Sequence, residues 1–230
     1  MKLAFGLIAL LFLIQISSAQ VLEISEMKLS VFVKDKAHMR YEMTLKNKID
    51  KPLVPGISEI RLQKVEPTTI LIFPIPFGER KQSVEVENLK AYSENINLKT
   101  SFEKFDEYSA IYYELWYPIE PYGERRVVLE FDADLVDHGI LFKSITIPIG
   151  GDVDIKKVEL NLTSDWKLCY FEKEIKTVPA NHITFVTAEF SIIPFPILPF
   201  RGYLLFWGTV LSLVLVLSLI AKKLKRAEKS

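Results

Sequence analysis

Strict alternation of apolar and polar residues is the strongest pattern in this chain of 230 residues. It appears first over residues 27–33 and returns over 39–45, on either side of the polar segment 34–37. Side chains of a β-strand point alternately to opposite faces, so each stretch has one apolar and one polar face. The pattern predicts a β-hairpin with one wetted face and with a buried face made of Met27, Leu29, Val31, Val33, Met39, Tyr41, Met43 and Leu45.

Shorter stretches of the same kind recur along the chain and are separated by proline, glycine and asparagine. Strands are predicted at 57–64, 69–73, 83–92, 109–117, 125–133, 140–147, 158–162, 166–172 and 182–190. Many short strands at this spacing are typical of a β-sandwich. The sequence therefore predicts an all-β fold, either one immunoglobulin-like β-sandwich or two β units in series, with units over 20–135 and 136–191.

The N-terminal residues 1–19 have the composition of a secretory signal peptide. Lys2 precedes an apolar run, and small residues at positions 17 and 19 suit a signal peptidase, which predicts cleavage after Ala19. The alternative is an uncleaved N-terminal anchor. A signal peptide places the following β-rich body outside the cytoplasm.

The C-terminal segment 203–221 contains no charged residue and predicts a transmembrane helix. Aromatic residues at its outer end and cations at its inner end are the expected membrane anchors: Tyr203, Trp207, Lys222, Lys223, Lys225 and Arg226. The alternative is a buried helix of a soluble core. Residues 192–202, with three prolines, predict a stiff juxtamembrane linker, and 222–230 predict a basic cytoplasmic tail. The predicted protein is thus single-pass, with its N-terminus outside, its C-terminus in the cytoplasm and the lipid bilayer as a partner.

Charge and cysteine content narrow the classes of function. Residues 20–221 hold 23 basic and 28 acidic residues, an acidic balance that excludes a nucleic-acid binder. The one cysteine, Cys169, lies in an apolar run and is predicted to be a small core residue. Frequent lysine and glutamate, with few glutamines, favour a prokaryotic, archaeal source.

Motifs of catalysis and of cofactor binding do not appear in the sequence. The three histidines, His38, His138 and His182, are far apart along the chain. Asp132, Asp134 and Asp137 precede Gly139, but their spacing departs from that of a calcium loop, which favours a solvated strand end over a metal site. We therefore predict no catalytic residue, no metal and no cofactor.

Two other sites remain as candidates. Asn161 begins the only Asn-x-Thr sequence and is a candidate for glycosylation, with an unmodified strand residue as the alternative. In the aromatic run 108–117, a strand places Tyr112, Glu114 and Trp116 on one face. Two rings beside an acid form a candidate surface for a sugar or a protein partner. The alternative, which we favour at this stage, is that this face packs on the second β unit.

The segment from Pro121 to Phe131 begins with a Pro-x-Gly-Glu turn and continues as an alternating run. It resembles the closing strand of archaeal cell-surface proteins that consist of a signal peptide, a β-rich ectodomain and a single C-terminal transmembrane helix. The resemblance is one of architecture and carries no functional residue to this chain.

These observations predict a non-enzymatic protein of the cell surface that binds another protein or a cell-envelope polymer. A second hypothesis is an accessory subunit that docks into a membrane complex through its transmembrane helix. A third is an extracellular hydrolase with a dispersed active site.

Overall fold

The computed structural model describes residues 20–70, 73–139, 142–171, 175, 177–192 and 204–227, with side chains omitted at 66–79, 204–207 and 223–227. The predicted signal peptide, nearly all of the predicted linker and Tyr203 lie outside these residues. The strands are β1 (Leu22–Val33), β2 (Ala37–Asn47), β3 (Gly56–Leu62), β4 (Lys64–Ile70), β5 (Phe73–Gln82), β6 (Val86–Ser93), β7 (Ile96–Asn97), β8 (Lys99–Lys104), β9 (Ser109–Leu115), β10 (Glu124–Ala133), β11 (Val136–His138), β12 (Phe142–Gly150), β13 (Asp154–Ile155), β14 (Val158–Ser164), β15 (Lys167–Phe171) and β16 (Ile183–Ser191). A C-terminal helix, α1, covers Leu204–Ala227.

The large sheet is built around the predicted hairpin. Strands β1 and β2 pair antiparallel across a turn at 34–36, and all eight residues predicted for the buried face are at most 2% exposed. The sheet continues in the order β13-β1-β2-β10-β6-β7. Alternation with a period of two residues was sufficient to predict this hairpin, because the register of the two strands decides which face is buried.

The free side of β1 pairs with strands from near the end of the chain. Strands β13 and β14 run parallel to β1, with Met27 opposite Val158 and Val33 opposite Ser164. Residues on both sides of the predicted boundary at 135 therefore belong to one hydrogen-bonded sheet. Parallel strands are joined by a long connection, so no local sequence pattern predicts the pairing of β13 and β14 with β1.

A second layer packs against the large sheet. It consists of a four-stranded sheet in the order β11-β12-β16-β15 and a three-stranded sheet in the order β3-β9-β8. One hydrophobic cluster joins the three sheets, with Leu29 and Leu129 from the large sheet, Ile111 from the three-stranded sheet and Ile147 from the four-stranded sheet. This arrangement leaves the outer face of the three-stranded sheet turned away from the core.

Three strand predictions need adjustment. Strand β9 ends at Leu115, so Tyr117, predicted on the buried face, is exposed. The prolines at 74 and 76 were expected to interrupt the chain, but β5 continues through them in a two-stranded sheet with β4. Proline is tolerated where a strand has a free edge. Strand β8, with few apolar residues, was not predicted at all.

The predicted transmembrane helix at 203–221 is wrong, and the single-pass localisation is corrected with it. Over the part of the chain that the structure describes, no helix combines the length and the apolarity needed to cross a membrane. Of the predicted anchors, Lys222 is exposed, and the side chains of Trp207, Lys223, Lys225 and Arg226 lie outside the described set.

Tyr41 provides a test of the core. Its ring is buried and stacks on Phe131 with centroids 5.7 Å apart, but its hydroxyl has no hydrogen-bond partner in the described structure. Burial also raises the pKa of this phenol far above its usual range. A buried, unpaired hydroxyl costs about 1–3 kcal/mol. We expect Tyr41→Phe to raise the free energy of unfolding by about 1 kcal/mol in urea denaturation. Tyr92→Phe is the control, because its hydroxyl donates to Glu130 at 2.9 Å, and no gain in stability is expected there.

Candidate binding surface

The outer face of the three-stranded sheet is organised in three rows. Antiparallel register places Ile57, Glu114 and Lys99 side by side, then Glu59, Tyr112 and Ser101, then Arg61, Ala110 and Glu103. Except for Ala110, every member of these rows is exposed or half-buried. We use the name outer face for these nine residues together with Trp116, which follows the end of β9.

Trp116 is both exposed and held in place. The residue is 59% exposed, and its indole Nε1–H donates to Glu114 Oε2 at 2.9 Å. The second oxygen of the same carboxylate, Oε1, lies 2.7 Å from Lys99 Nζ. The Lys99 ammonium and then the indole N–H lower the pKa of Glu114. Glu114 therefore stays ionised at neutral pH and keeps the indole oriented.

Strand β3 provides the apolar neighbour of this ring. Gly56 has φ +79°, a conformation that suits glycine, and a Cβ there would lie 3.9 Å from the Trp116 ring. Ile57, the next residue, is 58% exposed. An exposed isoleucine and an exposed tryptophan thus flank the Glu114 carboxylate at one end of the outer face.

The middle of the outer face is polar and partly aromatic. Arg61 Nε donates to Glu59 Oε1 at 2.6 Å, and the Arg61 guanidinium lies 5.3 Å from the centre of the Tyr108 ring. The Tyr108 ring stacks on Phe105 with centroids 4.6 Å apart. Burial, followed by the negative charge of Glu59, raises the pKa of Tyr112. This phenol is therefore neutral at physiological pH and available as a hydrogen-bond donor.

The structure thus brings together the three residues predicted as a ligand or partner surface, Tyr112, Glu114 and Trp116. The side chains predicted for the core from the same strand, Ile111, Tyr113 and Leu115, are buried. The packed arrangement that we favoured from sequence would have buried Trp116, which is instead the most exposed of the three. That this surface binds a ligand stays a prediction.

Next to the outer face is a small pocket that sequence reasoning missed. It has a volume of about 90 Å³ and is lined by Glu59, Arg61, Gly150, Gly151, Asp152, Asn181 and Ile183. Glu59 and Arg61 belong to β3, whereas the other residues come from the end of β12 and the turn after it, and from the start of β16 and the turn before it. Strand β3 is an edge strand, so its outward side chains can face this turn. In the sequence, the paired glycines at 150 and 151, followed by Asp152 and Asp154, indicated a turn but not a pocket.

The remaining candidates are dispersed. Asn161 is exposed on β14 opposite Ser30, and its glycosylation stays a prediction. Asp132 accepts a hydrogen bond from Asn88 at 2.6 Å and lies 2.7 Å from His38 Nδ1, which together lower its pKa. Asp134 and Asp137 share Lys64 at 3.9 and 3.3 Å. The carboxylates of Asp132, Asp134 and Asp137 are therefore each in contact with a neighbouring side chain of the protein.

The other two histidines each contact a backbone carbonyl oxygen, and His182 lies between two residues that line the pocket, Asn181 and Ile183. His138 Nε2 lies 3.0 Å from the Asp35 carbonyl oxygen, and His182 Nδ1 lies 3.0 Å from that of Ala180. Cys169 is half-buried, and burial raises its pKa, which disfavours the thiolate. Within the described ranges, no group of three or more potential metal ligands is found.

Comparison with known proteins identifies one relative of clear similarity. No protein-family model matches the sequence. The "Uncharacterized protein MJ1395" of Methanocaldococcus jannaschii is 41% identical over 114 residues, which are 49% of this chain and 86% of that protein.

Similarity to solved structures is weak. An M1 zinc metallopeptidase from Deinococcus radiodurans aligns with a TM-score of 0.38 and 10% identity, over 76% of this chain and 39% of that one. Leukotriene A4 hydrolase from Saccharomyces cerevisiae aligns with a TM-score of 0.42 and 8% identity, over 75% and 30%. At these TM-scores neither likeness bears on the activity of this chain.

Proposed function

We propose that this chain, which belongs to the family of the M. jannaschii protein MJ1395, is a non-enzymatic binding protein that holds a partner protein on its outer face. The observation that carries the proposal is the fixed orientation of Trp116. The 59% exposed indole donates its N–H to a carboxylate of the same chain, which favours one orientation of the ring without a partner.

A fixed aromatic side chain is an efficient anchor for binding. Association costs about 0.5–1.5 kcal/mol for each flexible side chain that becomes ordered, and a ring already held by Glu114 avoids most of this cost. Tryptophan is also among the residues most often found at energetic hot spots. Ile57, beside the ring, adds apolar area that is lost from water when a partner covers it.

The composition of the outer face favours a protein over a polysaccharide. Four of its five charged groups are paired within the face, Glu114 with Lys99 and Glu59 with Arg61. The apolar end of the face contains an isoleucine, which offers no ring for a sugar to stack on. An aromatic and aliphatic patch bordered by paired charges is common in protein interfaces. A cell-envelope polysaccharide is the second candidate and an outcome of the test below.

Photo-crosslinking in the cells that make the full chain tests this function. We expect a photoreactive amino acid at position 57 to form a discrete protein adduct. Trp116→Ala should reduce the yield about 30-fold, which corresponds to the roughly 2 kcal/mol of a hot-spot residue. Trp116→Phe, which keeps a ring but loses the bond to Glu114, should give an intermediate yield.

Phe32 supplies the matched control. It is 42% exposed on β1 of the large sheet, so Phe32→Ala removes an exposed ring from another surface and should leave the adduct unchanged. A heterogeneous carbohydrate adduct at position 57 would assign the face to a polysaccharide. An adduct that is equally strong with Trp116→Ala would overturn the proposed function.

A further inference from the structure

Strand β14 lies at an edge of the large sheet. Among the described strands its only partner is β1, to which it runs parallel. Met27 N–H donates to the Lys157 carbonyl at 2.9 Å, so the odd-numbered residues from 157 onward direct their backbone groups toward β1. The backbone N–H and C=O groups of the even-numbered residues therefore point to the other edge of β14: Val158, Leu160, Leu162 and Ser164.

This edge has little of the protection that edge strands usually carry. Lysine or proline in an edge strand, or a charged side chain that points inward, normally prevents another strand from adding to the sheet. Strand β8, at an edge of the three-stranded sheet, contains Lys99 and Lys104. Strand β14 contains no lysine or proline, and its one charged residue, Glu159, is exposed on the outward side. The edge of β14 therefore suits pairing with a further strand.

The sequence of β14 is complementary to itself in the antiparallel direction. With a two-fold axis at Asn161, Leu160 of one copy is opposite Leu162 of the second copy. Both leucines direct their backbone groups to the edge, so each such pair can exchange two hydrogen bonds. The side chains of Leu160 and Leu162 are half-buried and pack against the core cluster. Joining two copies would therefore remove more of their apolar area from water.

Charge selects this register among those that the backbone allows. An axis at Asn161 places Lys157, just before the strand, opposite Asp165, just after it, and symmetry makes this pair twice. Both side chains are exposed and lie at the outward positions of the alternation. An axis at Leu162 would instead place Glu159 opposite Asp165, and an axis at Glu159 would place that carboxylate opposite its own copy. Like charges directly opposite each other destabilise a strand pair.

We propose that β14 pairs antiparallel with β14 of a second copy of this chain, so that two large sheets become one continuous sheet across a two-fold axis at Asn161. The contact is isologous, which gives a closed dimer and leaves neither β14 edge open. It uses the large sheet, whereas Trp116 and the outer face belong to the three-stranded sheet. The dimer is therefore independent of the proposed function.

Disulfide crosslinking of the purified full chain tests the dimer, with Cys169→Ser removing the native thiol. Asn161→Cys should form a disulfide-linked dimer on oxidation, because directly opposite residues without mutual hydrogen bonds have Cα atoms about 4.5 Å apart. Glu159→Cys is the matched control. Its Cα would be roughly 13 Å from that of its own copy, four residues at about 3.4 Å each, which a disulfide cannot span. Chains with Glu159→Cys and chains with Thr163→Cys, expressed together with different tags, should crosslink to each other.

Charge reversal tests the register in the Asn161→Cys chain. Lys157→Glu should reduce the yield of the dimer about fivefold, since it places like charges opposite each other twice, and adding Asp165→Lys should restore the yield. Absence of a dimer with Asn161→Cys, or equal yields with Glu159→Cys alone, would overturn the pairing. A yield that Asp165→Lys does not restore would overturn the register at Asn161. None of these results depends on crosslinking at position 57.

Discussion

Replacing Asn47 by aspartate is expected to lower the free energy of unfolding by about 3–5 kcal/mol at pH 7. Asn47 is fully buried at the end of β2. Its Nδ2 donates to the carbonyls of Lys51, Ile119 and Glu120 at 2.7, 3.1 and 3.1 Å. Its Oδ1 accepts from Ile49 N–H at 3.1 Å. The side chain thus holds the proline-containing loop after β2 against the segment before β10.

Aspartate has the same shape as asparagine but cannot donate when ionised. A carboxylate at position 47 would face three carbonyl oxygens in a buried site, so the loss combines broken hydrogen bonds with an unpaired charge. Burial raises the pKa of such an acid in the folded state, so the destabilisation should be small near pH 3 and grow as pH rises above its unfolded-state pKa. Urea denaturation at several pH values checks both the size and the sign.

Asn161→Asp is the control for this variant. Asn161 is exposed on β14, where water solvates a new carboxylate, and a change within about 0.5 kcal/mol is expected. Equal stabilities of the Asn47→Asp variant and the original chain would show that the hydrogen bonds of Asn47 do not hold the loop.

Replacing Gly150 by alanine is expected to lower the free energy of unfolding by about 3 kcal/mol. Gly150 is paired with Ile183 at the end of the β12–β16 ladder. A Cβ on Gly150 would lie 2.2 Å from the His182 carbonyl oxygen and 2.9 Å from Ile183 Cα. Both are backbone atoms, so the two strands must move apart to admit one methyl group.

The neighbouring glycine provides a matched control. A Cβ on Gly151 would meet nothing closer than the Glu59 carbonyl oxygen at 3.9 Å, which is an ordinary contact. Gly151→Ala should therefore change stability by less than about 1 kcal/mol. If the m-value is unchanged, the midpoints of urea unfolding compare the stabilities of the two variants directly. Equal midpoints would show that the close approach of β12 and β16 at this point is not required.

Local pattern was enough to predict the strands of the core. The alternation of β1, β2 and β10 identified their buried faces, because the face that an apolar residue occupies follows from the two-residue period alone. The same period predicted that Tyr112 and Glu114 lie on the same face of β9. It was insufficient for β8, whose residues Lys99–Lys104 are mostly polar because one side of this strand faces water and the other packs only Phe102 against the core.

The C-terminal segment shows the limit of composition as a guide. Its apolar run predicted a membrane span, but no helix among the described residues is long and apolar enough to cross a membrane. Composition reports which residues are apolar. It does not report what surrounds them, and the described leucines of α1 are exposed: Leu211, Leu213, Leu215, Leu217 and Leu219.

The candidate binding surface was also predicted only in part from the sequence. The sequence placed Tyr112, Glu114 and Trp116 on one side of a strand, but whether that side was open or packed was undecided. The tertiary structure decided it, because β9 is central in a sheet that turns only its other face to the core. Ile57 and Lys99 reach the same face from strands about 40 residues apart in the chain.

The sequence by itself determined which residues of the alternating strands β1, β2 and β10 are buried, because this depends only on the spacing of neighbours along the chain. The tertiary structure alone decided the pairing of β14 with β1, the neighbours of Trp116 and the joining of Glu59 with Asp152 in one pocket. These contacts depend on long-range strand pairing, and many pairings share the same local alternation. Burial of a single common core selects among them.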